Sequence, residues 1–523
     1  SIPGIALRDY GELRSGLAGT VFFVEAIPPT GTTEDSAQGG TLHRFQLKDR
    51  KAVPFAQGVQ DYVVSGDGKQ LLYQTGGAHG GLFLVPTDKE PPPPSAAPSA
   101  MPQGKLTAQL RAFVDPKAEF KQIFNEAWRI ERDYLYVKNM QGSDWNRVKE
   151  QYGALVPFVA HRADLTYLLD EMQAEIAVGH SFVRGGDMPP VPTSTVGMLG
   201  ADFAVQDGRY RITKIYTGES WNPDLRAPLS APGVDVRTGD YVLAVNGAEL
   251  RAPDDIFRLL DGTADRQTVL TVNAKPVMAG ARTVTVIPVS TERGLRARAW
   301  IEHNRHVVDS LSHGQLAYVY LPNTANAGYN NFNRDYFAQQ DRKGVIIDER
   351  YNSGGFIADY IIDFLQRDFD GYFNNAAGNH ELSTSPIAGI WGPKVMLINE
   401  MAGSGGDAMP YMFKSRKVGL LVGKRTWGGL VGIWDAPPLV DGGSITAPRG
   451  GFISRAGQWA VENEGVAPDI DVEDMPKDLA AGHDTQLERG VQEALRMLQE
   501  HPVHELAHEP PPPTWGKRAV PLP

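Results

Sequence analysis

One stretch constrains the fold more than any other. Residues 395–408 read Val395-Met-Leu-Ile-Asn-Glu-Met-Ala-Gly-Ser404-Gly-Gly-Asp407-Ala. The apolar run 395–398 has the length and composition of a buried strand. It breaks into Asn399-Glu400 and the small residues 402–406, and an apolar pattern with helical spacing follows at Ala408, Met409, Met412 and Phe413. Strand, glycine-rich turn, helix can hold the Ser404 hydroxyl in the open, beside backbone N–H groups and a helix N-terminus. The same residues also suit a plain turn, with glycine supplying the backbone freedom and Ser404 capping the helix. Locally, both readings stand.

The stretch sits in a region where strand and helix alternate. Residues 315–320, 344–347 and 394–398 are strand candidates; 356–365 and 408–413 are helical. This predicts an α/β core with crossover connections, closed by an amphipathic helix over 485–498. Upstream, 194–290 returns to β, with strands at 210–216, 241–245 and 268–272. Ahead of that come two helices. The first has Asp115 as N-cap, Pro116 at its first position and a stripe of Phe120, Ile123, Phe124, Ala127 and Ile130. The second carries Leu165, Leu168, Leu169, Met172 and Ile176 and is expected to end at Val178-Gly179, leaving His180 just past its C-terminus. Residues 1–90 give short strands at 20–24, 42–47, 61–64, 70–73 and 82–85, with a hairpin turn at Ser65-Gly-Asp-Gly-Lys69. Their rhythm is that of propeller blades, of which about two fit.

A chain of 523 residues is too long for one core, and about three or four domains are expected. The expected divisions are 1–90 (incomplete propeller-like blades), 91–104 (a proline-rich linker), 105–193 (helical), 194–292 (β), 293–500 (the α/β core) and 501–523 (a proline-rich tail). A net charge of −11 argues against nucleic-acid binding, and the absence of cysteine excludes disulfides and thiolate metal sites. No apolar run reaches the roughly 18 residues of a membrane span. The first residues lack a signal peptide's pattern, so a cytoplasmic location is expected, or a periplasmic one if a signal has been removed.

Asn399-Glu-Met-Ala-Gly-Ser404-Gly-Gly-Asp407 followed by Gly423-Lys-Arg-Thr-Trp-Gly-Gly429 is similar to the nucleophile region of the tricorn-type serine peptidases, within the wider group of C-terminal-processing peptidases. The resemblance continues in Ile346-Ile-Asp-Glu-Arg-Tyr-Asn-Ser-Gly-Gly355, in Gly179-His180-Ser-Phe182 and in Val461-Glu462-Asn-Glu-Gly-Val-Ala-Pro-Asp469. It covers most of residues 1–500 in the family's order. It implies a multidomain fold: propeller-like strands, a small helical domain, a PDZ-like module (carried by 233–247) and an α/β core of the crotonase/ClpP-like kind.

The resemblance also implies roles. Ser404 is the expected nucleophile, and it needs a base. The C-terminal-processing branch uses a lysine within a motif resembling Thr-Phe-Gly-Lys; here Thr426-Trp-Gly-Gly429 puts glycine at that position, and Lys424 reads as a strand-end charge. The tricorn type instead uses a histidine on the helical domain, which His180 matches. Glu462 matches the family's acidic member, with Glu464 two residues away. The family relays between acid and histidine through a serine; Gly179 stands there, so water or Ser181 is expected to replace the link. Gly405 and either Gly354 or Gly355 are the expected oxyanion donors. The pair Asp348-Glu349 reads as solvated or supporting carboxylates.

The expected function is a serine endo- or oligopeptidase acting on short or unfolded peptides, without metal or organic cofactor, in a toroidal homo-oligomer, commonly a hexamer. The alternative is a catalytically silent relative that binds peptides or apolar ligands on the same fold. A pure propeller scaffold accounts for residues 1–90 alone.

Overall fold

The computed structural model describes residues 10–26, 39–76, 80–89, 104–106, 113–219, 221–222, 225–377, 381–503, 506 and 509–513. Nearly all of the expected linker 91–104 and the tail from 514 lie outside these. The chain divides into two units, Ser1–Val114 and Asp115–Pro523.

In the first unit, β1 (Tyr10–Ser15), β2 (Thr20–Glu25), β3 (Gly40–Gln46), β4 (Lys51–Val64), β5 (Gln70–Thr75) and β6 (Gly81–Pro86) form one antiparallel sheet in sequence order. Alternation puts Phe22, Leu42, Tyr62, Leu71, Tyr73, Phe83 and Val85 into one core. The strands expected as short blades therefore share a single six-stranded sheet. Pro54 and Gly58 hid most of β4, since both argue against a central strand. Register shifts around Leu42 and between Val59 and Asp61 accommodate them.

The second unit opens with α1 (Pro116–Tyr134), α2 (Trp145–Gly153) and α3 (Arg162–Ala174), then the short β7 (Val183–Arg184). Asp115 caps α1 as expected, its carboxylate accepting from the N–H groups of Lys117 and Ala118. Helix α3 stops at Ala174, earlier than its apolar stripe suggested. Ala177 at φ +54° turns the chain, and His180 lies on this turn.

Next, β8 (Ala201–Gln206), β9 (Arg209–Ile215), β10 (Tyr241–Val245), β11 (Ala248–Glu249), β12 (Thr268–Asn273) and β13 (Arg282–Val286) build an antiparallel sheet in the order β13-β12-β10-β9-β8, with β11 on β10. The sheet shares a core with α4 (Ile256–Leu259) through Leu199, Ile212, Val242, Leu250, Ile256 and Leu270.

The α/β part contains α5 (Arg293–Ser312), β14 (Leu316–Tyr320), α6 (Asn326–Phe337), β15 (Gly344–Asp348), α7 (Ala358–Leu365), the hairpin β16 (Gly371–Phe373) and β17 (Ser383–Ser385), and β18 (Lys394–Ile398). After these come α8 (Gly405–Ser415), β19 (Leu420–Gly423), β20 (Gly432–Trp434), β21 (Ser444–Ile445), β22 (Ala447–Gly450), β23 (Ile470–Asp471), α9 (Pro476–Ala480) and α10 (Thr485–Glu500). Strands β14-β15-β18-β19-β23 form a parallel sheet in that order. Both faces are covered, so the strands read as continuous apolar runs. Ala317, Val319, Val345, Ile347, Met396 and Ile398 face α6, α7 and α8. Leu316, Tyr318, Ile346, Val395 and Leu397 face α5 and α10. The loops leaving the carboxyl ends of β14, β15, β18 and β19 come together, which is where open α/β sheets place their sites.

Candidate active site

Ser404 lies between β18 and α8 at φ +58°, ψ −115°. An L-residue adopts this conformation only where the surroundings impose it. What imposes it is Asp407, one turn into α8 and fully buried. Its Oδ2 accepts from the N–H of Ser404 (2.9 Å) and of Gly429 (3.1 Å); its Oδ1 accepts from the Gly428 N–H (2.8 Å) and the Thr426 hydroxyl (2.5 Å). Burial pushes the Asp407 carboxyl up, against the pull of these four bonds. One carboxylate thus ties the Ser404 turn to the loop after β19.

The loop after β15 roofs the same turn. The Asn352 carbonyl accepts from Gly403 N–H (3.0 Å), and the Asn399 side chain accepts from the N–H groups of Tyr351 and Met401. A side chain on Gly354 would come 3.0 Å from Ser404 Oγ and 2.6 Å from its Cβ. One on Gly405 would strike Thr324 Oγ1 and lie 2.6 Å from Gly355 N. Glycine at these positions lets two backbones pass in contact. Gly354 N–H donates to Asn352 Oδ1 (2.9 Å). The N–H groups of Gly355 and of Gly405, the first residue of α8, have no acceptor among the described residues.

His180 reaches this region from the helical side. Its ring lies edge-on to Trp427, with centroids 5.4 Å apart, and to Phe182 at 6.2 Å. The Trp427 backbone N–H donates to the Ala402 carbonyl (2.9 Å), and a side chain on Gly403 would fall 2.5 Å from the indole. One indole therefore touches both the histidine and the serine turn. Burial holds the imidazole below its ordinary value of 6.5, while Glu462, Asp407 and the Val431 carbonyl pull the other way. His180 Nδ1 has no hydrogen-bond partner among the described residues.

Glu462 sits beside a buried Val461 held at φ +78°, a strained conformation for a β-branched residue. Its Oε1 accepts from Gly179 N–H (2.8 Å), and its Oε2 from the N–H groups of Leu430 and Val431 (both 2.7 Å). Glu464 is exposed. Of the two acids, then, Glu462 is the one that meets the histidine loop, and it does so through backbone. Ser181 does not replace the missing serine link, since its Oγ is buried without a partner among the described residues. A side chain on Gly179 would fall 3.0 Å from Gly429 Cα and 3.1 Å from the Trp427 ring. We expect Gly179→Ser to lose stability by about 1–3 kcal/mol through overpacking and to lower activity rather than restore a relay. A denaturant midpoint unchanged from the parent would remove the packing explanation.

At the position where a Ser–Lys enzyme carries its lysine, a side chain on Gly429 would run into the Trp427 ring. Lys424 is paired with Asp471 (2.7 Å) and Glu473 (3.1 Å), as a strand-end charge. Asp348 and Glu349 are not solvated. Both are fully buried. Asp348 forms a bidentate pair with Arg350, which reaches on to Asp484 at the cap of α10. Glu349 has neither oxygen hydrogen-bonded among the described residues, and burial beside Asp407 and Asp348 pushes its carboxyl well up. Sequence reasoning missed Asp407 and Trp427 as organising residues. The Ser404-x-x-Asp407 spacing of a capping box was the available signal for the first; none existed for the second.

Three family models match the chain in order: the Tricorn protease C1 domain over 116–174, the Tricorn protease PDZ domain over 197–291 and Peptidase family S41 over 315–472. Tricorn protease homolog 1 of Streptomyces coelicolor is 35% identical over 498 residues, covering 94% of this chain and 45% of that protein. The tricorn protease of Thermoplasma volcanium is 30% identical over 467 residues, 89% of this chain and 44% of that one. A crystal structure of the tricorn protease matches with a TM-score of 0.80 at 28% identity, over 94% of this chain and 47% of that chain. The chain spans less than half the length of these relatives. With its helical, PDZ and peptidase regions matched in sequence order, the chain carries the C1 and PDZ domains of the tricorn protease type and a domain of peptidase family S41.

Proposed function

We propose that the chain hydrolyses peptide bonds through an acyl-enzyme on Ser404. The observation that carries this reading is the Ser404 turn: a strained serine at a helix N-terminus, roofed by Gly354 and Gly355, with two unengaged amides beside it. Ser404 Oγ attacks the substrate carbonyl, and His180 takes the hydroxyl proton and passes it to the leaving amine. The N–H groups of Gly405 and Gly355 receive the oxyanion. Gly354 stays bonded to Asn352 and shapes the turn. Water then repeats the sequence on the acyl group. Glu462 holds the histidine loop, and its charge favours the imidazolium.

Substrates are short or unfolded peptides, bound extended across the glycine turns. The wider assembly is a toroidal homo-oligomer, a hexamer by resemblance. Within it the N-terminal sheet is part of a propeller and the α/β part a crotonase/ClpP-like core. A cytoplasmic location fits this reading; no described helix is long and apolar enough to cross a membrane.

A fluorophosphonate tests the proposal. We expect stoichiometric labelling of the parent at Ser404 and none of Ser404→Ala; a silent peptide binder stays unlabelled throughout.

The environment of His180 sets a pH dependence. Burial disfavours the imidazolium, so the neutral base persists below its ordinary value of 6.5. The acid limb of kcat/KM is expected at a midpoint below 6.5. Trp427→Ala admits water to the ring and moves that midpoint upward; an unmoved limb means that the indole is not what buries the base.

A further inference from the structure

Away from the reacting groups, one buried acid connects to the histidine loop. Glu131, on α1, is fully buried. Its Oε1 accepts from Gln173 Nε2 of α3 (2.6 Å), and the same nitrogen donates to the Thr446 carbonyl (3.0 Å). A carbonyl can only accept, so the Gln173 amide is fixed with its nitrogen toward both groups. Thr446 in turn grips the residues around His180. Its hydroxyl donates to the His180 carbonyl (2.7 Å) and accepts from Phe182 N–H (2.8 Å), and its own N–H donates to the Phe182 carbonyl (3.0 Å). The pairing of β21 with β7 continues this clamp. A hydrogen-bonded chain thus runs from Glu131 through Gln173 and Thr446 to the backbone of the histidine.

We propose that Glu131 is a buried positioning residue for His180, holding the histidine loop through Gln173 and Thr446 only while its carboxyl is protonated, so that its ionisation releases the loop.

Glu131 Oε2 and Gln173 Oε1 have no partner among the described residues, so a carboxylate at this point would have one donor where it needs several. No cation among the described residues is paired with it. On α1 itself, Arg132 lies over Trp128 and pairs with Asp133, while Arg129 is exposed. On α2, Lys149 also lies over Trp128, and Arg147 and Glu150 are exposed. On α3, Arg162 is taken by Asp441, and Asp164, Asp170 and Glu171 are exposed. On β22, Arg449 lies over Tyr134 and Trp434. Burial accordingly pushes the Glu131 carboxyl up to about 8, with only the Gln173 hydrogen bond opposing it. An ionised Glu131 keeps Gln173 as its one donor and must draw in water or turn outward to find others, and the Gln173 amide follows it away from Thr446.

The inference rests on the peptidase reading for its kinetic readout but not for its structural one. In the parent, kcat should fall about tenfold between pH 7 and pH 9 with KM unchanged, as a single ionisation near 8 requires. Glu131→Gln, which stays neutral and keeps the acceptor toward Gln173, should hold kcat within about twofold over that range. Lys394, brought to about 8 by burial at the start of β18, is untouched by this substitution. An alkaline limb that persists in Glu131→Gln overturns the proposal. Independently of turnover, and in the parent alone, the NMR signal of a ¹³C-labelled His180 ring should shift with a midpoint near 8, in step with loss of a protonated-carboxyl infrared band. A His180 signal that stays still between pH 7 and pH 9 overturns the proposal whether or not the protein cleaves peptides. Absent hydrolysis together with a moving ring signal would instead count against the peptidase reading alone.

Discussion

Ser404→Ala should lower turnover of a fluorogenic peptide library by about 10⁴ to 10⁶, and His180→Ala by a similar amount, with the double variant no worse than either. In the proposed mechanism the two groups act as one. A serine hydroxyl is a poor nucleophile until its proton has somewhere to go, and a base without the nucleophile has nothing to activate. What survives both changes is the contribution of the oxyanion donors and of substrate binding. Glu462→Ala should cost less. Its oxygens bind the N–H groups of Gly179, Leu430 and Val431 and not the imidazole, so its loss loosens the loop without removing a proton acceptor. Wild-type turnover by Ser404→Ala would falsify the nucleophile assignment. Equal losses for Glu462→Ala and His180→Ala would mean that the acid does more than hold backbone.

How far the sequence announced this arrangement depended on what kind of signal each part carries. The parallel core was plain because strands buried on both faces are unbroken apolar runs, and 345–347 and 395–398 are such runs. Helix α1 was legible at its first residue because Asp115 and Pro116 are specific capping signals. Strand β1 was not, because Tyr10-Gly-Glu-Leu-Arg-Ser15 carries little apolar pattern and is largely exposed. At the site, the motifs pointed to Ser404, His180 and Glu462 but not to how the segments that carry them are joined. The absent serine at 179 suggested a gap to be bridged; instead Glu462 bonds the Gly179 backbone directly, in a space too tight for a side chain. Backbone hydrogen bonds of this kind leave no mark on residue identity. The same holds for Glu131 and Glu349, whose burial follows from packing that no local period encodes.

The second large effect expected is at Asp407, where stability and activity should fall together. Its carboxylate is the common acceptor for the Ser404, Gly428 and Gly429 N–H groups and the Thr426 hydroxyl. Asp407→Ala strands all of these in a buried site, and each buried donor left unmade costs about 1–3 kcal/mol. Partial relaxation and entering water reduce the sum, so a loss of about 3–5 kcal/mol in denaturant unfolding is expected, comparable to breaking a buried charged network. The serine loses the bond that holds it at φ +58°, and the Trp427 loop loses its anchor against the turn. A misplacement of about 1 Å at a reacting group is enough for a rate loss of about 10², so peptide hydrolysis should fall at least that far even at temperatures where the variant is folded. Asp407→Asn separates the two effects: its amide oxygen can keep one pair of donors while its NH₂ group faces the other. If the oxygen stays toward Thr426 and Gly428, Ser404 is the residue released, and turnover should fall more steeply than stability. Parent-like unfolding and parent-like turnover in Asp407→Ala would show that the turn is held by its glycine contacts alone.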